Sequence, residues 1–487
     1  MENFGCRAAR ADGEAVSAAL GALGHATEQA EDAAVVIVNT CSVTAEADRE
    51  ARAYIRRSRR RNPDAKIVVT GCYAQRAPEE LAALDGVAAV VGNSHKALLP
   101  RIAAEMMRKA DGVQIARRLD EEDFVSVGSL LAGGAGRAPI WADDRFAHSF
   151  LEEAQVLPGE QTRPNLKIQE GCGNRCTFCV IPQTRGSSRS LPHAAVLRQV
   201  RGFVAVGGNE LVLSGINLGR WGRDLAHETL AHPTLPQNTP KDAASVSTRP
   251  TLAGLVETIL RETDLPRLRL SSIEPMDWTD ELIGLLAEHG GRRICRHAHL
   301  PLQSGSDAVL RRMHRRYRPW HYAQKVAALV QAVGPELTLG ADVMVGFPGE
   351  TDAEFQETLD LIRALPFGYL HLFPFSPRPG TPGWALHEAS PVPKAALEER
   401  MAALRTVGEE KMLAHRRGFI GRDLAAITLN TPEAMSSAGD TAALTENFIP
   451  ANLRSHLAGG HLAANQLLEV RVTGVHSDGP LIGIASR

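Results

Sequence analysis

Glu170-Gly-Cys-Gly-Asn-Arg-Cys-Thr-Phe-Cys-Val-Ile-Pro182 continues the run Leu166-Lys-Ile-Gln-Glu170, which reads as a short strand. Cys172, Cys176 and Cys179 are separated by three residues and then two. A loop with those gaps can turn three thiolates toward one point. A structural zinc site usually wants four protein ligands, often as two separated pairs. The nearest further candidate, His193, stands fourteen residues beyond Cys179. Three thiolates suit a [4Fe–4S] cluster with one iron left without a protein ligand, where a small molecule can bind.

Working outward, strand-like runs recur at Glu210 to Ser214, Leu268 to Ile273, Ala298 to Leu302, Leu337 to Val345 and Tyr369 to Phe375, with helix-length segments between them. Alternating strands and helices predict a parallel sheet with right-handed crossovers. Six such units make an incomplete (βα)6 barrel. Chemistry in such folds sits at the carboxyl ends of the strands, which is where the cysteine loop falls.

The same logic applies upstream. Ala34 to Asn39 and Lys66 to Thr70 are β-branched runs ending at Thr40-Cys41 and Gly71-Cys72, and Val87 to Val91 is a third. Glu46 to Arg61 reads as a helix stopped by Asn62-Pro63, and another helical stretch starts near Ser94. This predicts a doubly wound α/β domain over 1–130 with Cys41 and Cys72 on one ligand-binding rim. Taken singly, each cysteine reads as a small buried hydrophobe. Cys6 would complete a trio if a strand preceded it. Only Met1 to Gly5 do, too few for a full strand, so Cys6 is expected to be poorly held.

The bulk numbers set limits. The chain has 487 residues, 44% hydrophobic and 23% charged, which excludes wholesale disorder and suggests about three domains. No apolar run approaches the ~18 residues that span a bilayer, and the N-terminus lacks a basic-then-apolar layout. A reducing, cytoplasmic setting is therefore expected, where clustered cysteines suggest metal or catalysis. Fifty-four basic and 56 acidic residues nearly cancel, but the arginines are grouped. One group is Arg52, Arg56, Arg57, Arg59, Arg60 and Arg61; the other is Arg311, Arg312, Arg315, Arg316 and Arg318, with Tyr317 and Trp320 among them. Such patches suit phosphate backbones, although a charge run is commonly just a solvated helix face. Cys295 has no partner nearby and reads as structural.

Segments 131–162 and 226–250 read as a linker and a surface insertion, 163–392 as the partial barrel, and 393–418 as a bridging helix. From Gly421, short strands at Leu424 to Leu429, Ala443 to Ile449 and Leu467 to Thr473 predict a small five-stranded β-barrel over 419–487.

The three-then-two spacing, Phe178 just before the last cysteine, and the partial barrel resemble radical S-adenosylmethionine (SAM) enzymes. Phe4-Gly-Cys6, Asn39-Thr-Cys-Ser-Val-Thr44 with Ala47-Asp48, Thr70-Gly-Cys72 and Thr184-Arg-Gly186 extend the resemblance to the methylthiotransferases of that superfamily. It implies two [4Fe–4S] clusters, one on Cys172, Cys176 and Cys179 that binds and cleaves SAM, and an auxiliary one on Cys6, Cys41 and Cys72 that carries the sulfur. It implies SAM contacts near Phe178, Glu274, Gln303, Ser304, Val345, Gly346 and Phe347, a TRAM-like RNA-binding barrel at the C-terminus, and an electron donor such as flavodoxin or ferredoxin.

Leu213-Ser-Gly-Ile-Asn-Leu-Gly219, Arg269-Leu-Ser-Ser-Ile-Glu-Pro275 and His314-Arg-Arg-Tyr317 most resemble the branch acting on N6-threonylcarbamoyladenosine at position 37, in the tRNA anticodon stem-loop. Sister branches act on isopentenyladenosine in tRNA or on a ribosomal protein. From a different class, a zinc-containing RNA-binding protein is the rival reading. Two positions depart from the family pattern. Ala9 stands where an Asn is common, and Gln183 where an aromatic is usual.

Overall fold

The computed structural model describes residues 1–26, 28–108, 138–150, 156, 162–225, 249–454 and 462–486. Most of the expected linker and nearly all of the expected insertion lie outside these residues.

The N-terminal unit is a five-stranded parallel sheet in simple chain order: β1 (Glu2–Asn3), β2 (Val35–Thr40), β3 (Lys66–Gly71), β4 (Val87–Gly92) and β5 (Ile140–Trp141). Residues along β2 alternate between two cores. Ile37 packs with α1 (Arg7–Ala22) and α5 (Leu99–Met107); Val36 and Val38 pack with α2 (Ala45–Arg61), α3 (Cys72–Arg76) and α4 (Pro78–Ala82). Helices thus cover both faces, as the continuous apolar strands require. α2 starts where Thr44 Oγ1 accepts the Ala47 amide, and buries Ala51, Ile55 and Ser58 at helical spacing. Full burial of Ile55 alone is worth about 2 kcal/mol.

Two features differ from expectation. The strand before Cys6 does exist, as two residues: Glu2 and Asn3 pair with Val38 and Asn39, and the Phe4 amide donates to Asn39 O. Ile140–Trp141, inside the stretch expected to be an irregular linker, forms the fifth strand beside β4. A two-residue strand has no periodicity to read, so only its partner reveals it.

The central unit carries six parallel strands: β6 (Asn165–Glu170), β8 (Glu210–Gly215), β9 (Arg267–Leu270), β10 (His297–His299), β11 (Thr338–Val345) and β12 (Phe367–Pro374). The short strand β7 (Arg189–Ser190) pairs antiparallel with β6. A bridge between Leu268 and Ile294 links β9 to the segment entering β10. This is the expected incomplete barrel, with one large apolar core under its helices. The helix Lys394–Arg417 leads from the partial barrel to the C-terminal strands. The C-terminal strands β13 (Asp423–Thr428), β14 (Asp440–Thr445), β15 (Pro450–Arg454), β16 (Leu467–Val475) and β17 (Leu481–Ser486) close into a five-stranded barrel. Its β14–β15 turn reaches back to the partial barrel. Glu446 accepts from Arg296 N and Nε at 2.8 Å each, and Phe448 lies 4.5 Å from the His297 ring.

Candidate functional site

Each of the first three cysteines sits just past a parallel strand. Cys6 precedes α1, Cys41 follows β2, and Cys72 opens α3. Two glycines make that convergence possible. Gly5 has φ +110°, and a Cβ there would stand 2.7 Å from Cys41 Cβ; Gly71 has φ +96°, and a Cβ there would stand 2.3 Å from Thr40 O. Only glycine tolerates both the angle and the approach. Cys41 and Cys72 are buried and Cys6 is exposed. Burial, followed by the neighbouring Cys72, pushes the Cys41 thiol up to about 12. It ionises at neutral pH only with a compensating cation. At the two departures, Ala9 is buried and its carbonyl takes Asn39 Nδ2 at 2.6 Å, while Gln183 Nε2 donates to Gly380 O at 2.6 Å.

The second trio occupies the loop from β6 to the helix Ile181–Arg185. Cys172 N donates to Gly186 O and Cys179 N to Cys176 O. The Thr177 hydroxyl and amide fix the loop to Arg312 O and Met313 O. Four side chains aim N–H donors at the cysteine sulfurs across the two trios. Asn217 Nδ2 is 3.5 Å from Cys172 Sγ, Arg315 Nη1 is 3.3 Å from Cys176 Sγ, and Arg185 Nε and Asn93 Nδ2 are 3.3 Å and 3.5 Å from Cys72 Sγ. Donors of this kind suit thiolates that carry charge. Among the described residues, the one group of potential ligands whose atoms all lie within 4.8 Å of one another is His299, Asp342 and His371, so neither cysteine trio is drawn in as tightly as one metal ion needs. Two sets of three thiolates, each with polar donors behind it, fit a multi-iron cluster with an open position better than zinc.

Between the trios lies a buried ion network. Arg185, fully buried, donates to Glu170 Oε1 at 2.6 Å and to Asp12 Oδ2 at 3.1 Å. Lys167 reaches Asp12 at 2.5 Å and also pairs with Glu170, and Lys96 pairs with Asp12. Asp12 lies on α1 and Glu170 on β6, so this network joins the two cysteine-bearing units. A second latch lies nearby: Asp48 of α2 pairs with Arg76 at 2.8 Å and with Arg378 from the proline-rich segment Phe373 to Pro382.

The other expected residues distribute unevenly. Glu274 pairs with Arg315 at 2.5 Å, beside Cys176. Gln303 is buried at φ +63° with Oε1 lacking any hydrogen-bond partner. Ser304 spends its hydroxyl on Thr358 and the Ser306 amide, and Ser306 precedes its helix without a side-chain cap. Val345 ends β11, where its carbonyl takes the Phe375 amide at 2.8 Å. Gly346 turns at φ +76°, its amide donating to Glu350, and Phe347 meets the Phe375 ring edge-on at 5.5 Å. Phe178 is half-buried against the barrel core. Cys295 is buried, and burial pushes its thiol up.

One constellation escaped sequence reasoning. Tyr369 Oη lies 2.8 Å from His297 Nε2 and 2.9 Å from His299 Nδ1. His299 Nε2 reaches Asp342 Oδ1 at 3.2 Å, and His371 Nδ1 reaches the same oxygen at 3.3 Å. Burial opposes ionisation of Asp342, but the two histidine bonds outweigh it and hold the carboxyl well below the usual range. Burial, then Arg269 and Arg7, keeps His297 neutral. The available signal was alternation, since His297 and His299, like Tyr369 and His371, are two apart on a strand.

The basic groups are corrected in part. Arg56, Arg57, Arg60 and Arg61 of α2 are exposed, whereas Arg52 turns to Tyr73 and Glu80. In the second group Arg315 and Tyr317 are buried, Arg312 is paired with Glu354, and Arg311, Arg316 and Trp320 remain outside. No helix of the described residues is long and apolar enough to cross a membrane.

Residues 1–92 match the family model described as Uncharacterized protein family UPF0004, and residues 166–362 match the Radical SAM superfamily. The chain is 36% identical to Threonylcarbamoyladenosine tRNA methylthiotransferase MtaB of Bacillus subtilis (strain 168), over 78% of this chain and 74% of that protein. It is 32% identical to the protein of the same name from Aquifex aeolicus (strain VF5), over 92% of this chain and 95% of that one. It is 33% identical to tRNA-2-methylthio-N(6)-dimethylallyladenosine synthase of Cereibacter sphaeroides (strain ATCC 17023), over 88% of this chain and 86% of that one.

Proposed function

The chain belongs to the radical SAM methylthiotransferase family, and from that premise we propose that it replaces the C2 hydrogen of N6-threonylcarbamoyladenosine-37 in tRNA by a methylthio group. The observation that carries this reading is the presence in one chain of two cysteine trios, each at the carboxyl edge of a parallel sheet, tied together by the buried network around Arg185. When bound, two [4Fe–4S] clusters and SAM supply the 5′-deoxyadenosyl radical that takes the C2 hydrogen and the sulfur and methyl that replace it.

The protein's own residues hold, orient and exclude water. Cys172, Cys176 and Cys179 hold the SAM-binding cluster, and Cys6, Cys41 and Cys72 the auxiliary one. Arg315 and Asn217 support ligand sulfurs, and Glu274, fixed by Arg315, presents its carboxylate beside Cys176. Gln303, with a buried Oε1 free of protein partners, is poised toward a bound polar group, and Phe178, Val345, Gly346 and Phe347 supply apolar and backbone contacts for SAM. Ser304, whose hydroxyl meets Thr358 and the Ser306 amide, lies beside Gln303 in the same SAM-contacting segment. The tRNA base must leave its stack to enter. The exposed arginines of α2 face the phosphate backbone, a flavodoxin or ferredoxin supplies electrons, and the setting is cytoplasmic.

Anaerobic purification separates this from the zinc reading. About eight irons per chain, as two four-iron clusters require, and 5′-deoxyadenosine on reduction support it; a colourless protein with stoichiometric zinc overturns it. Among tRNA substrates, methylthiolation of dimethylallyladenosine in place of the threonylcarbamoyl nucleoside would reassign the branch.

A further inference from the structure

Arg185 is the last residue of the helix Ile181–Arg185, six residues after Cys179, yet its Nε points at a sulfur of the other trio, 3.3 Å from Cys72 Sγ. Asn93 Nδ2 approaches the same sulfur at 3.5 Å. The remaining guanidinium donors are committed: Nη1 to Glu170 at 2.6 Å, and both Nη1 and Nη2 to Asp12 at 3.1 Å. Glu170 and Asp12 are held from behind by Lys167 and Lys96. All five side chains are buried: three cations against two anions. One positive charge is left unmatched within the set, and the group it meets is Cys72. A cation in a water-poor interior acts on its neighbour far more strongly than at a surface.

We propose that Arg185 is a positioning residue that sets the reduction potential of the iron–sulfur centre on Cys6, Cys41 and Cys72, by donating a charge-assisted hydrogen bond to the Cys72 sulfur from an orientation locked by Asp12 and Glu170. This rests on the reading of that trio as a cluster site. On one-electron reduction the added charge spreads onto the ligand sulfurs, and no bond is made or broken. A fixed donor and a fixed positive charge at one of those sulfurs stabilise the reduced state more than the oxidised one, so they raise the potential. Lysine cannot substitute fully. Its single ammonium cannot bond a sulfur sideways while forking to two carboxylates.

The test uses the full-length chain with Cys172, Cys176 and Cys179 changed to Ala, so that only the first trio can bind a cluster. It is reconstituted anaerobically with iron and sulfide and titrated potentiometrically, followed by electron paramagnetic resonance. Added to that background, Arg185→Met shifts the midpoint to more negative potential, and Arg185→Lys, which keeps the charge and loses the sulfur bond, shifts it part of the way. An unchanged midpoint in Arg185→Met overturns the inference, even where the melting temperature falls, because a purely structural arginine would alter stability alone. If Arg185→Met loses the centre, Arg185→Lys decides, and an unchanged midpoint there overturns the inference. If the Arg185-containing parent binds no iron, the cluster reading of the trio fails and the inference falls with it.

Discussion

Arg315 Nη1 stands 3.3 Å from Cys176 Sγ while its Nη2 holds Glu274 at 2.5 Å. One buried side chain therefore joins the Cys176 sulfur to a carboxylate at the end of a different strand. The sequence suggested Arg315 as part of an RNA-facing group; its burial sets it against the Cys172–Cys179 loop instead.

Arg315→Met is expected to keep both clusters and to lower 5′-deoxyadenosine formation about 10- to 100-fold, the usual penalty for losing a group that supports a metal ligand. Iron content and 5′-deoxyadenosine yield per chain, measured on the same preparation, check this. A variant with full iron and unaltered yield would remove Arg315 from the site.

The Asp48–Arg378 pair ties α2 to the proline-rich segment, with both side chains almost wholly buried. Arg378→Met leaves Asp48 with Arg76 and the Ser42 hydroxyl, while Asp48→Ala leaves the buried Arg378 and the half-buried Arg76 facing each other's charge. Breaking a buried pair from one side costs about 3–5 kcal/mol. Asp48→Ala is expected to lower the apparent Tm by several degrees and by more than Arg378→Met, as read by calorimetry on reconstituted protein.

His415 shares a 2.9 Å hydrogen bond with Thr338 and is half-buried where the bridging helix packs on the barrel. Burial, and then Arg416, lowers its pKa to about 4 from an ordinary 6.5. Between those values the unfolded chain binds a proton that the folded chain does not, so stability rises with pH across this window. The contribution is present above about 6.5 and is lost as pH falls toward 4. Apparent Tm of His415→Gln is expected to fall less steeply than that of the parent between pH 6.5 and 4. Parallel curves would refute the assignment.

Exposed Arg56, Arg57 and Arg60 of α2 are expected to bind tRNA phosphates. The triple change to Gln should weaken tRNA binding at low salt and reduce the slope of log K against log salt by about one unit for each phosphate no longer neutralised. Iron content should be unaffected. Binding curves at several salt concentrations decide it, and an unchanged slope would return α2 to being a solvated face.

The cysteine edges, six barrel strands and the β character of the C-terminal segment were legible because each rests on local pattern: β-branched runs, strand ends, short gaps between thiols. Features that depend on distant partners were not. β5 is two residues long and exists only because β4 offers an edge. β15, Pro450–Arg454, has a proline at its start and no alternation long enough to read, and β17 is interrupted by Gly483. Arg185 and Arg315 stand in stretches that carry the family resemblance, but nothing in those stretches says what either side chain touches. Their roles appear only when folding places a thiol against each. His299 and Asp342, 43 positions apart, are joined by the pairing of β10 with β11, which no single window contains.

The central claim is tested most directly by incubating the anaerobically reconstituted protein with SAM, a reductant and tRNA carrying N6-threonylcarbamoyladenosine-37, then digesting the tRNA and analysing its nucleosides by mass spectrometry. The account predicts 2-methylthio-N6-threonylcarbamoyladenosine, absent when Cys41→Ala or Cys176→Ala replaces the parent. Protein that carries both clusters and makes 5′-deoxyadenosine, yet leaves that nucleoside unmodified, would contradict it.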